Sequence, residues 1–196
     1  MAYDDIQIHS STGGEPRIAY WGMDASEAFS KGDVVVLANT GQIQEALTTG
    51  PLPAGLTGIA MGGAVGPAGV TLNNPRTGTT YAENDRIPVA LPDVNTWFRT
   101  KNYTEGTAFN DAAPTTAAIG DQCGLVSITG VWGVDNGQDA NEGVARIMDV
   151  LNVRGESIID TGETLTTSDV YWIVFQLVAH QGTPDSAEAP TPIAET

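Results

Sequence analysis

Glycine and proline interrupt this chain so often, 23 and 11 times in 196 residues, that no stretch is left for a long helix. Short apolar runs survive between the breaks, and short runs separated by turn residues are the mark of an all-β chain. The stretch FSKGDVVVLANTGQIQEAL (29–47) shows the form: a Gly-Asp opening, an apolar run, then a turn at Asn39, Thr40 and Gly41. A second stretch, IGDQCGLVSITGVWGVD (119–135), opens the same way, with Leu125 at the offset of Leu37 and Gly130 close to where Gly41 stands. Two readings fit: an internal duplication, or convergence of short hairpins on one pattern. A chain of this length buries roughly 70% of its unfolded surface, so its core needs no covalent staples.

Along the chain, residues 1–14 read as an N-terminal arm. Ile6 and Ile8 alternate with Gln7 and His9, and SSTGGEP then supplies a flexible joint. Such a strand pairs with the distant body, pairs with a neighbouring molecule, or stays loose. A β-rich body spans 15–180, with a division into lobes at about 15–95 and 96–180 as one option, and an acidic, proline-rich mobile tail covers 181–196. Strands are expected in PRIAYWGM (16–23), in GDVVVLAN (32–39), whose unbroken apolar run implies two covered faces, and in GQIQEAL as its hairpin partner. The segment TGIAMGGAVGPAGVTLNN (57–74) reads as a strand running into a permissive loop with glycines at 62, 63, 66 and 69. In NDRIPVALPD (84–93), Pro88 suits an edge strand or a bulge, because it has no N–H for a ladder. NTWFRTKNYTEGTAFND (95–111) is rich in Thr and Asn and reads as a loop whose Trp97, Phe98, Tyr103 and Phe109 plug the core or form a contact surface. Residues 142–160 fit a strand, Gly turn, strand better than a helical stripe of Val144, Ile147, Met148 and Leu151, and DVYWIVFQLVA (169–179) closes the body as a strand.

Charge narrows the function. Twenty-four acids against 8 bases give a net charge of -16, and no basic cluster is evident in the linear sequence, which argues against nucleic acid as a partner. The opening MAYDDIQIHS lacks the basic and apolar regions of a secretory signal, so the chain reads as made in a cytoplasm. Its longest apolar stretch, 170–179, is half of the ~20 residues a membrane-spanning helix needs, so no membrane partner is expected. Cys123 is the only cysteine; it rules out an internal disulfide and a Cys-based zinc site, and its apolar setting reads as a buried structural thiol.

Each catalytic pattern fails on its own chemistry. Asp160 in IIDTGE looks like the loop of an aspartic protease, but that reaction needs a second such carboxylate, no second copy exists, and Glu163 replaces the small residue expected there. Asp135, Asp139, Asn141 and Glu142 form an oxygen-rich loop, but Gly137 and Arg146 stand where an EF-hand loop needs ligands. His9 and His180 lie in the arm and beside the tail. The expectation is a non-enzymatic protein with no catalytic, metal or cofactor residues.

The stretch FSKGDVVVLANTGQIQEA, continuing through TGIAMGGAVGPAG to ENDRIPVALP, resembles the capsid decoration (cement) proteins of tailed bacteriophages, on Gly32, Asp33, Gly58, Ile59, Ala60 and Arg86 to Leu91. The resemblance implies a β-barrel or β-tulip-like body with short strands and long loops, often a homotrimer, seated on the outer surface of the mature virion shell at threefold or quasi-threefold positions. Its implied partners are the phage major capsid protein and neighbouring copies of itself. The half from Trp97 onward departs from the pattern, as a duplicated lobe or an added outward-facing domain. Tyr3, Ile6, Ile8, Trp97, Phe98 and Tyr103 are the candidate contacts to the shell or to neighbours. An alternative is a receptor- or glycan-binding module of a head fibre or tail, with Trp97, Tyr103 and Trp132 as stacking platforms.

Overall fold

The computed structural model describes residues 6–11, 16–22, 31–37, 42–46, 56–61, 86–93, 95–137 and 143–178. The glycine-rich loop at 62–69, the tail at 181–196, Tyr3 and His180 lie outside the described residues. The fold is all-β. Its strands are β1 (Gln7–Ser11), β2 (Ile18–Gly22), β3 (Val34–Leu37), β4 (Ile43–Glu45), β5 (Leu56–Ala60), β6 (Arg86–Ala90), β7 (Thr96–Thr100), β8 (Tyr103–Thr104), β9 (Gln122–Ile128), β10 (Val131–Asp135), β11 (Ala145–Leu151) and β12 (Trp172–Leu177). They form two sheets, ordered β2-β6-β5-β3-β4 and β1-β7-β12-β11-β9-β10-β8, and among the described residues each has two ends and neither closes into a barrel.

Both sheets contain one plan of five antiparallel strands. Taken in chain order, β2 to β6 and then β7, β9, β10, β11 and β12 occupy the same places: β2-β6-β5-β3-β4 against β7-β12-β11-β9-β10. The register agrees as well. Val34 faces Ile59 and Val35 faces Gly58 in the first sheet, while Gln122 faces Arg146 and Cys123 faces Ala145 in the second. The two Gly-Asp pairs are the hinge of this repeat. The Gly32 N–H donates to the Ala60 carbonyl (2.7 Å) and the Ala60 N–H donates back to the Asp33 carbonyl (2.9 Å). At the second corner Gly120 donates to Ile147 (2.8 Å) and Ile147 to Asp121 (3.0 Å). Both glycines are left-handed, at φ 92° and 98°, the region where a Cβ is disfavoured.

The same strand face has opposite fates in the two halves. Val34 and Ile59 are fully buried, whereas their register equivalents Gln122 and Arg146 are half-buried and exposed. The first sheet is therefore covered on both sides, as its unalternating VVVL run requires, with Val35, Ile43, Ala60, Ile87 and Val89 packed on one face. A larger core joins Val34, Leu56, Ile59 and Ala90 to Phe98, Leu125, Trp132, Ile147 and Phe175. The Trp132 indole N–H donates to the Glu45 carboxylate (3.1 Å), a second tie between the sheets.

The structure settles one point that the sequence leaves open and differs from the sequence reading at several others. The arm does pair, as β1 on β7 of its own chain. Residues 95–111 are no plain loop, because Thr96, Phe98 and Thr100 alternate with half-buried Trp97 and Arg99 to make a true strand. Pro88 sits in an internal strand, between β2 and β5. It is tolerated there because the β5 ladder ends at Ala60; Met61 donates to the Pro88 carbonyl (2.8 Å), and only the return bond is forgone. After β11 the Gly155 turn (φ 81°) leads to a single bridge, Leu151 with Ser157, and then to a one-turn helix α1 (Ile158–Thr161) in place of a return strand. The Ser157 hydroxyl caps that turn, and Asp149 holds the same hydroxyl (2.7 Å), so local capping wins over hairpin pairing.

Because the two corner glycines do the same work, Gly32→Ala and Gly120→Ala should each lower stability, by about 1–3 kcal/mol. Thermal or denaturant unfolding of the two variants checks this; a loss at one site only would mean the corners are not equivalent.

Candidate interaction surface

Alternation along β7 sends Thr96, Phe98 and Thr100 inward and puts Trp97, Arg99 and Lys101 together on the outer face of the larger sheet. β12 lies alongside with Arg99 opposite Val174, so Trp172 falls next in register to Lys101 and diagonal to Arg99. The Trp172 ring lies beneath both cations, with the Arg99 guanidinium 4.4 Å and the Lys101 ammonium 4.5 Å from its centroid. Each such contact is worth roughly 0.5–1 kcal/mol at an exposed site, and the pair holds two charges in fixed positions. Gln7 on β1 accepts from Arg99 (3.4 Å), and Arg146 on β11, opposite Gln176, extends the patch. Burial first, and then the charge of Arg99, holds His9 below its ordinary pKa against the opposite pull of Asp149. His9 is thus a neutral neighbour of the patch at pH 7.

Three of the chain's 8 basic residues therefore share one face, with Asp149 opposite Val174 among them, on a protein that carries 24 acids. Scattered in sequence as Arg99, Lys101 and Arg146, they become a patch only because β7, β12 and β11 are neighbours.

Of the expected contact residues, Trp97 alone has a half-buried ring on this face. Ile6 is fully buried and Ile8 packs on the core beside it. Phe98 is fully buried and stacks on Phe175, centroids 5.8 Å apart, and Tyr103 is fully buried with its hydroxyl donating to Glu105. The contacts of Ile6, Phe98 and Tyr103 are with this chain's own core, and Tyr3 lies outside the described residues. Trp132 is 2% exposed, so neither it nor Tyr103 offers a ring for stacking a sugar. Arg99, Lys101, Arg146 and Trp172 were not among the expected contacts; the signal for the first two was the W-x-R-x-K alternation at 97–101, hidden by the surrounding Thr and Asn.

The loop after β8 is organised by one carboxylate. Partial burial alone would raise the pKa of Asp111, but the Glu105 N–H, the Thr104 hydroxyl and the Ala108 and Thr107 N–H groups outweigh it and hold the carboxyl below its usual range. This loop places Phe109 over Gly133, where a Cβ would stand 2.6 Å from the ring.

The other sequence candidates have structural places. Cys123 is fully buried, and burial first, then Asp121 and Asp135, pushes its thiol well above the ordinary range, away from nucleophilic use. Asp160 is exposed on α1, and Asp135 accepts from the Gly137 N–H (2.9 Å) in a tight turn. Asp139, Asn141 and Glu142 lie outside the described residues. Among the described residues no group of three His, Cys, Asp or Glu could hold a metal, and no helix is long and apolar enough to cross a membrane. No protein-family model matches the chain, and neither a curated protein nor a solved structure matches it.

The ionised Asp111 carboxylate stabilises the loop above its unfolded pKa of about 3.9, and that contribution is lost as pH falls through the lower folded value. Asp111→Asn should therefore unfold at a lower temperature than the parent at pH 7, and the gap should shrink below about pH 4. Melting curves across pH 2–7 measure it; a gap independent of pH would remove the charge from the explanation.

Proposed function

We propose that this chain is a structural, non-enzymatic virion protein that binds the outer surface of a mature phage shell and stabilises it by bridging capsid subunits. The observation that carries the reading is the cationic, tryptophan-centred face at Arg99, Lys101, Arg146 and Trp172 on a chain of net charge -16. Such a face orients the molecule: it docks on acidic or polar shell surface while the acidic remainder turns outward and is repelled from nucleic acid. The sequence resemblance to cement proteins supports the same reading, and its residues Gly32, Asp33, Gly58 to Ala60 and Arg86 to Leu91 are the corner and the β5–β6 pairing that build the first sheet.

The mechanism is mass action. A protein that binds the expanded lattice and not its precursor stabilises each site by ~2.7 kcal/mol at a hundredfold excess over the dissociation constant. Many copies on one shell add such increments. A folded all-β body suits the task because a rigid surface loses little conformational entropy on docking.

The test is co-sedimentation of the protein with undecorated, expanded capsids. Binding should be stoichiometric and should raise resistance of the shells to heat. The double variant Lys101→Glu/Arg146→Glu should bind about tenfold more weakly while melting only about 2–4 °C lower, the loss expected for the Lys101 contact with the Trp172 ring, since both residues sit on the docking face. Absence of shell binding by the parent protein would overturn the function; parent binding that the double variant leaves unaltered would overturn the assignment of the face.

A further inference from the structure

The repeated plan exposes an asymmetry at the sheet edges. In the larger sheet the outer edge of β7 is covered by β1, and that of β10 by β8 together with the Asn102 side chain, whose amide donates to the Trp132 carbonyl (2.8 Å). β2 is the counterpart of β7. Following the shared register through β6 and β12, Ile18 corresponds to Trp97 and Tyr20 to Arg99. Yet among the described residues nothing pairs with the outer edge of β2.

Among the described residues that edge lacks the guards such strands commonly carry. Natural edge strands are blunted by charge, proline, a bulge or shortness. β2 reads IAYWG, five residues without a charge or a proline, in unbroken register with β6. Ile18 and Tyr20, 38% and 57% exposed, stand on one face of it two residues apart. The Leu91 N–H donates to Arg17 (2.9 Å), which makes Arg17, Ala19 and Trp21 the residues bonded to β6 and turns the N–H and C=O of Ile18, Tyr20 and Gly22 outward.

We infer that the β2 edge joins a second copy of this chain by antiparallel pairing about a twofold axis through Tyr20. The strand is complementary to itself in that register. Every outward-facing residue meets an outward-facing residue: Tyr20 faces the partner's Tyr20, and Ile18 faces the partner's Gly22. The missing side chain at Gly22 leaves room for Ile18, and the two tyrosines and two isoleucines form one apolar cluster on one face. The two five-stranded sheets become continuous, and β2 acquires the neighbour that β7 has in β1. This pairing goes beyond shell binding, and it predicts an even copy number where the cement-protein resemblance implies a trimer.

Sedimentation equilibrium of the full chain should show a dimer, or an assembly of dimers, that dissociates on dilution. Tyr20→Lys, at an exposed site, should keep the parent melting temperature at low concentration and require about tenfold more protein to associate. Directly opposed residues of a hydrogen-bonded pair lie about 5.5 Å apart between Cα atoms, within the span of a disulfide. Tyr20→Cys should therefore form a covalent dimer under mild oxidation, with no background from the buried Cys123. Ile18→Cys should not, because its copy lies about 14 Å along the strand. A chain that stays monomeric at all concentrations, a trimer, equal cross-linking of the two cysteine variants, or association indifferent to Tyr20→Lys would each overturn the inference. So would a monomer in which Tyr20→Lys weakens only shell binding, since the edge would then belong to a strand of the shell.

Discussion

Both sheets depend on a corner in which a left-handed glycine and the aspartate after it clasp one residue of a distant strand through reciprocal backbone bonds. Gly32 and Asp33 hold Ala60; Gly120 and Asp121 hold Ile147. Two bonds to a single residue set the register of the long-range pairings β3–β5 and β9–β11, and a one-residue slip there would send every side chain of the strands beyond to the opposite face. The glycine is needed because its φ excludes ordinary side chains, and the hairpins β3–β4 and β9–β10 then grow from the clasped strand by local contacts alone.

From this common frame the halves diverge in what they show to the outside. The first sheet is apolar on both faces and, among the described residues, ends in an unpaired edge at β2. The second keeps one apolar face, turns a polar and cationic one outward, and has the outer strands of the shared plan, β7 and β10, paired with β1 and β8. One plan thus supplies two kinds of surface. A flat face with fixed charges suits docking by orientation, and a bare edge suits docking by backbone hydrogen bonds.

The candidate surface was only partly legible. Trp97 reads in the sequence, like Phe98, Tyr103 and Phe109, as a core plug or a contact residue, and it sits on the outer face. Phe98 and Tyr103, grouped with it, are core residues, because a strand sends alternate side chains to opposite sides and the Thr-rich composition of 95–111 disguised that strand. Arg146 and Trp172 lie 47 and more residues from Arg99 in the chain, and no local pattern joins them. The pairing of two cations with one indole ring is a product of strand order.

The all-β class, the β3–β4 hairpin, the double coverage of VVVL and the burial of Cys123 followed from the sequence by itself, since turn residues, alternation and unbroken apolar runs act through near neighbours along the chain. Tertiary structure alone decided that β1 seals β7, that Pro88 belongs to an internal strand, that α1 replaces a return strand, and that three scattered bases share one face. Those outcomes rest on which strands become neighbours, and that is settled by hydrogen bonds and buried contacts between residues far apart in the chain, for which local periodicity carries no signal.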